Sequence, residues 1–362
     1  MRLLAARQTL NGKRQTLNSI LPTTLIIGAG LSGLVAARYL HRNGHPVVVL
    51  DKGRGVGGRL ATRRLAAGRA DHGAQYFSAR SPAFKTFADE LLTAGIARDW
   101  HLEQSDPASF GRRSAHHPRY AVAGGMSQLA KYVAEGLDVR TGERVARLTP
   151  TGTGWQVRCD NGLTLDADTL LVTIPAPQAL ALLADSGVAL PPDDQQALAR
   201  IQYEPCLAVM LQLNQPSRIP APGGLDLTDG PVSWIADNQQ KGASDQPTVT
   251  LHASHAFSRQ HLDDADLTAL LPELTKAVAG YVSTDAIVDQ QVHRWRYSNA
   301  VERHPAPFLS ASLPNAGTLL FGGDGFGPGN VEGAFLSGLA MATFLAGTST
   351  SKLAANSEEA DA

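Results

Sequence analysis

Cysteine is scarce in this chain. Cys159 and Cys206 are the only two in 362 residues, far apart and without CxxC spacing. A disulfide framework and a thiolate metal site are both excluded on that count. Long apolar runs are missing too: no stretch reaches the roughly 18 residues that a membrane span needs. The nearest, Gly333 to Gly347, reads as a buried helix. Charge of one sign is not in excess, with 32 basic against 33 acidic residues and a formal net charge of -1. Nothing there suits a nucleic-acid partner. No Ser–His–Asp or metal-ligand spacing is present either. What remains is an ordinary globular balance, 43 % hydrophobic and 18 % charged, which excludes a disordered chain. Its length points to two domains.

The first 23 residues stand apart. They carry Arg2, Arg7, Lys13 and Arg14 with no acid, and repeat Arg-Gln-Thr-Leu-Asn at Arg7 and again at Arg14. A dispensable basic leader is expected, rather than an address. From Thr348 the sequence is small, polar and acidic, and disorder is expected there. In between, Thr24–Ile27 is an apolar run entering Gly28, a helical pattern follows to Gly44, and Pro46–Leu50 is a second apolar run ending at Asp51. That order is a βαβ unit. Three alternating stretches, from Val145, Trp155 and Leu163, are separated by glycines and Asp160-Asn161-Gly162 and predict an antiparallel meander. Thr169–Ile174 predicts a strand buried on both faces. Helices are expected at Asp193–Ile201 and Asp264–Tyr281, and strands at Cys206–Leu213 and Thr248–Ala253. The style of the first domain returns with Thr318–Phe321 and a terminal helix.

Gly28-Ala29-Gly30-Leu31-Ser32-Gly33 fits GxGxxG between a strand and a helix. Gly28 permits the turn, Gly30 lets a pyrophosphate reach the backbone, and Gly33 packs helix on strand. Free N–H groups at the helix start then face the phosphates. Asp51, 18 residues past Gly33, ends the next strand where a carboxylate accepts ribose hydroxyls. Lys52 and the loop Gly53 to Arg59 follow, in which Gly58 exposes backbone amides and Arg59 offers a planar fork to phosphate. A solvated basic loop is the plainer reading. Directly after a dinucleotide motif, the loop argues for FAD over NAD. Near the other end, Gly322-Gly323-Asp324-Gly325 lies between a strand and a helix opening at Val331. Asp324 suits ribitol hydroxyls, and the helix start suits the flavin edge that gains negative charge on reduction. An ordinary aspartate turn is the alternative there.

This order of motifs, ending in Val331-Glu332-Gly333-Ala334, resembles the flavin-containing amine oxidase superfamily. Within it, Asp71-His72-Gly73-Ala74-Gln75-Tyr76-Phe77-Ser78-Ala79-Arg80 looks like renalase-type enzymes, particularly their bacterial branch. The likeness runs from about Thr24 to Leu345, through Pro175-Ala176-Pro177-Gln178, Leu251-His252-Ala253-Ser254 and Arg294-Trp295-Arg296-Tyr297. It implies flavin contacts at Ser32, Asp51, Lys52, Arg59, Gln75, Tyr76, Val145, Asp324 and Val331. It implies a substrate pocket along Tyr76, Phe77, Ser78, Ala79 and Arg80, with Cys206 and Asn330 nearby. Asn330 stands where some bacterial relatives carry arginine, which leaves NAD and NADP both open. The implied activity is oxidation of misreduced NAD(P)H isomers to NAD(P)+, with O2 reduced to H2O2. No catalytic side chain is expected, because a dihydropyridine gives hydride to flavin without a base. Many amine oxidases place a lysine near the flavin, and Tyr203–Leu213 contains none.

The expected fold class is therefore α/β: a discontinuous Rossmann-like FAD-binding domain with an inserted α+β substrate domain. The expected parts are a leader, 1–23; FAD-binding segments 24–75, 118–175 and 293–347; substrate-domain segments 76–117 and 176–292; and a tail, 348–362. FAD is expected to be noncovalent and the protein cytoplasmic. Flavin amine oxidation, or a related desaturation, is the first alternative. A flavin-holding binding module with incidental turnover is the second. His72 reads as a strand-edge histidine with one structural hydrogen bond, Trp295 and Tyr297 as either a ring-stacking wall or junction packing.

Overall fold

A computed structural model describes residues 23–100 and 118–360, with side chains through residue 347; the leader and part of segment 76–117 lie outside that range. Six strands form the central sheet, in the order Leu309–Ala311, Thr318–Phe321, Thr169–Val172, Thr24–Ile27, Val47–Asp51 and Asp138–Thr141. All neighbours are parallel except the first pair. Thr24–Ile27 is buried throughout because it sits between two cores. Ile26 faces the helices Leu31–Arg42, Ser127–Ala134 and the terminal helix. Leu25 and Ile27 face the meander and the helix Ala176–Ser186. The meander forms as expected from Val145–Pro150, Trp155–Cys159 and Thr164–Ala167, with a bulge at Arg158/Cys159.

The second sheet is antiparallel, ordered Gly224–Asp226, Val232–Asp237, Thr248–Ala253, Gln202–Leu213 and Ile287–Glu302. One face carries Leu207, Val209, Leu211, Val249 and Leu251 onto the helix Leu271–Ala277. Alternation turns Cys206, Ala208, Met210, Thr250 and His252 the other way, where Met210 meets Leu65 and Ala70 of the first domain.

Four expectations need correction. The long helix at Asp264–Tyr281 is a 3-10 turn, Leu267–Leu270, followed by a seven-residue helix, Leu271–Ala277. Pro272 has no N–H to continue the turn before it, so the chain restarts there. The boundary at 292/293 falls inside the strand Ile287–Glu302, which pairs with Gln202–Leu213 over its whole length. The described part of segment 76–117 belongs largely to the first domain's core, because Phe77, Phe84 and Phe87 pack with Tyr120 and with Phe335 of the terminal helix. Finally, the terminal helix Asn330–Ala360 continues past Thr348. Ala354, Ala355, Glu358 and Glu359 are strong helix formers.

Candidate flavin and substrate site

The glycine turn has the geometry its spacing implies. Gly28 holds φ +111°, and a Cβ on Gly33 would lie 2.1 Å from the Gly28 carbonyl oxygen. Gly30 is different: a Cβ there would meet nothing within 4 Å. The second loop runs alongside Gly30 without filling that open side. Gly57 donates to the Ala29 carbonyl at 2.8 Å, and a Cβ on Gly58 would lie 3.6 Å from the Gly30 Cα. Gly57 and Gly58 both have positive φ, which only glycine adopts freely. Ser32, 3 % exposed at the helix start, has a buried hydroxyl with no partner among the described residues. An orphaned donor beside an open glycine and a free helix N-terminus is what a pyrophosphate satisfies.

Asp51 organises the same corner. Its carboxylate accepts from Ala29 N–H at 2.7 Å and Gly53 N–H at 2.6 Å. Its backbone carbonyl accepts from Glu143 N–H, which brings the half-buried Val145 strand alongside. Lys52 is exposed at this rim.

The two ends of the chain meet at Arg59 and Asp324, 265 residues apart. Arg59 Nη1 and Nη2 each donate to one Asp324 oxygen at 2.6 Å. Arg59 Nη1 also reaches the Tyr297 carbonyl at 3.2 Å, and the guanidinium lies 5.7 Å from the Tyr203 ring centre. The carboxylate beside it is one reason the Tyr203 hydroxyl is pushed up to about 12, after burial itself. Gly323 N–H is held by Ser337 Oγ at 2.9 Å, and Asn330 opens the terminal helix at φ +57°, exposed and next to the half-buried Val331. Two of the four charged groups assigned to the cofactor thus stand together. Ser32, Gly30, Gly58, Asp51 and Asp324 fit FAD: phosphates at the glycines, ribose and ribitol hydroxyls at the carboxylates.

The segment Asp71–Tyr76 runs between Arg59 and the inner face of the second sheet. A Cβ on Gly73 would lie 2.1 Å from the Arg59 carbonyl oxygen, so only glycine passes. Above it, Trp234, His252, Ala208 and His293 stand in one row across four strands. His72 stacks on Trp295 at 5.2 Å and meets His293 edge-on at 4.7 Å, while Trp295 Nε1 donates to the His72 carbonyl. Trp295 is therefore a wall of this face. Burial first, then nearby cationic charge, lowers His72 to about 3 and His252 to about 4, so both rings are neutral. The expected structural hydrogen bond of His72 is absent at Nδ1, which has no partner among the described residues.

The pocket residues assigned along Tyr76–Arg80 divide. Tyr76 is half-buried beside Trp100 and Trp234, with the Arg119 guanidinium 5.0 Å from its ring centre. Ser78 is half-buried in a short strand against Arg119. Phe77 and Ala79 point into the helical core instead, 2 % and 0 % exposed, and are not available to substrate. Arg80 is exposed, and its backbone N–H lies 3.3 Å from Glu332 Oε1, which also accepts from Ser81 N–H at 2.6 Å. Cys206 is on the inner sheet face but 4 % exposed, and burial pushes its thiol up to about 12, so it is inert. Gln75 is buried, and its amide joins Asp71, His252 and Lys241. Lys241 lies in a polar stretch, Asn238 to Ser244, that reads in sequence as a solvated turn. Only its long-range partners reveal it.

With this geometry in view, comparison with known proteins is decisive for the class. The flavin containing amine oxidoreductase family matches residues 90–345, and an NAD(P)-binding Rossmann-like domain matches 26–91. The chain belongs to the flavin-containing amine oxidoreductases, and its cofactor is FAD. Within that family it is a renalase-like member: it is 27 % identical to renalase of Mus musculus over 341 residues, 88 % of this chain and 96 % of that one. Likeness to the L-amino acid oxidase of Cerastes cerastes is 46 % but spans 54 residues, 15 % of this chain and 10 % of the other. Putrescine oxidase with putrescine bound shares the fold, with TM-score 0.67 and 17 % identity over 91 % of this chain and 99 % of that one. Among the described residues no helix is long and apolar enough to cross a membrane, and no cluster of side chains suits a metal.

Proposed function

We propose that this FAD-dependent oxidoreductase is an oxidase of misreduced dihydronicotinamide dinucleotides, working in the cytoplasm, where its two buried free thiols stay reduced. The observation that carries this reading is that none of the five strands of the second sheet carries a lysine. The strand Gln202–Leu213 has no lysine, and Lys241 is fully buried and committed to Asp71 and Gln75. Bound FAD supplies the electron acceptor: the dihydropyridine loses a hydride and becomes NAD(P)+, and O2 with one proton takes the two electrons to give H2O2. The chain's own task is then orientation. Trp295, Trp234 and Tyr76 offer flat apolar surfaces to a planar ring, and the neutral His72 and His252 add no charge that opposes a ring becoming cationic. Arg80 is the group proposed for the substrate pyrophosphate, because its fork matches phosphate oxygens. Similarity to renalase along nearly the whole chain supports the same reading.

The test is anaerobic mixing of the yellow protein with chemically misreduced NAD. Bleaching of the flavin within the mixing experiment, followed by peroxide formation on admitting air, is expected. Bleaching by amines and not by dihydronicotinamide isomers would transfer the chain to amine oxidation. Bleaching by neither would leave a flavin-holding module.

A further inference from the structure

A buried cation unused by this chemistry lies under the second sheet. The side chains of Lys241 and Asp71 are both fully shielded from solvent, with Nζ 3.0 Å from Asp71 Oδ2. Thr62 Oγ1, at 2.6 Å, and Met126 N–H, at 2.8 Å, hold the other Asp71 oxygen. A buried pair of this kind adds little net stability over an apolar replacement, which directs attention to what else it fixes.

It fixes an amide. Lys241 Nζ donates to Gln75 Oε1 at 2.9 Å, and an ammonium can only donate. The Gln75 NH2 must then face the other way, where it meets the Asp71 carbonyl at 2.7 Å, the Gly73 carbonyl at 3.0 Å and His252 Nε2 at 3.3 Å. The two carbonyls can only accept, the two amide hydrogens are shared among the three contacts, and an Nε2–H facing the NH2 at 3.3 Å would set hydrogen against hydrogen. Nε2 is therefore the bare nitrogen of His252, and the ring proton sits on Nδ1, the ring also bonding the His72 backbone. We propose that Lys241 is a positioning residue for the flavin site: through Gln75 it selects the His252 tautomer and holds the segment Asp71–Tyr76 in the shape that meets the cofactor. The charged or titratable groups acting on His252 are Lys241, His72 and His255, of which Lys241 is the strongest after burial. This role depends on the FAD site and not on which substrate is used.

Nitrogen NMR of histidine-labelled holoprotein tests it without any assay of turnover. Wild-type His252 should show a bare Nε2 and a protonated Nδ1. A wild-type ring protonated on Nε2 overturns the proposal outright, whatever becomes of any variant. The paired variant Lys241→Met with Asp71→Asn removes both charges together, so no lone charge is left buried. In it, His252 should sample both tautomers or titrate at higher pH, and FAD should bind about tenfold more weakly, the loss of one net hydrogen bond. Unchanged His252 signals with unchanged FAD affinity would show that the pair merely ties two chain segments together.

Discussion

Replacing Asp324 by alanine tests the link between the two ends of the chain. Its carboxylate forms two bonds of 2.6 Å to Arg59, with the two side chains 12 % and 26 % exposed. With Asp324 on ribitol and Arg59 on phosphate, the roles proposed for them, FAD would draw on both members of the pair. A charge-assisted hydrogen bond is worth about 1.5–3 kcal/mol, so losing the ribitol contact should weaken FAD by roughly ten- to hundredfold. Removing Asp324 also frees Arg59 from its pair before binding, which returns part of that loss and favours the lower end. Arg59→Ala should behave alike, and the double variant should lose more than the sum of the two, because either single change already returns the cost of breaking the pair and the double change returns it only once. The assay is reconstitution of deflavinated protein, followed through quenching of flavin fluorescence. An unchanged dissociation constant in Asp324→Ala, with intact secondary structure, would remove Asp324 from the cofactor site and refute the reasoning.

Acid precipitation should release all the flavin: both cysteines are buried with their thiols raised by that burial, and the His304 ring beside the Gly322–Gly325 turn is tilted against Phe326; pigment left in the pellet would contradict a noncovalent site. Stability should fall as pH drops from 6.5 toward 3, because the unfolded chain takes up a proton that the buried His72, lowered to about 3, refuses. At pH 5 this one ring contributes a loss of about 2 kcal/mol, measurable by urea unfolding, and His72→Asn should flatten the slope between pH 7 and pH 5. Arg80→Ala should raise KM for misreduced NAD roughly ten- to hundredfold while flavin content and the limiting reduction rate hold, since one charge-assisted phosphate contact is lost. An anchoring role for Arg80 on the following helix is not needed, as Glu90 there is already held by Arg38 and Tyr132; an unaltered concentration dependence in stopped flow would exclude Arg80 from substrate binding.

What could be read from the chain and what could not follows from the range of the forces involved. The glycine turn was legible because its constraints are local: Gly28 needs positive φ, Gly33 a missing Cβ, and both sit between elements with their own periodicity. The meander was legible for the same reason, each strand carrying its alternation and each turn its glycine. Phe77 and Ala79 were misplaced although the signal was present. In an extended segment alternate side chains face opposite ways, so once Tyr76 and Ser78 look toward the substrate sheet, Phe77 and Ala79 cannot. The broken helix was announced in the same way by Pro272.

Lys241 had no such signal. It sits among glutamines, glycine and serine, the composition of a surface turn, and its partners Asp71 and Gln75 are more than 160 residues away. Burial of an ammonium is decided by what the fold brings against it, and no local pattern encodes that. The Arg59–Asp324 pair is intermediate: each residue belonged to a recognisable motif, but their meeting depended on the sheet placing Gly28 and Gly322 at the same end, on the strands Thr24–Ile27 and Thr318–Phe321 that flank Thr169–Val172. The geometry of motifs at strand ends is thus readable in advance. The polar contacts between domains, which orient Gln75 and His252, become readable only when the second sheet is laid over the first domain.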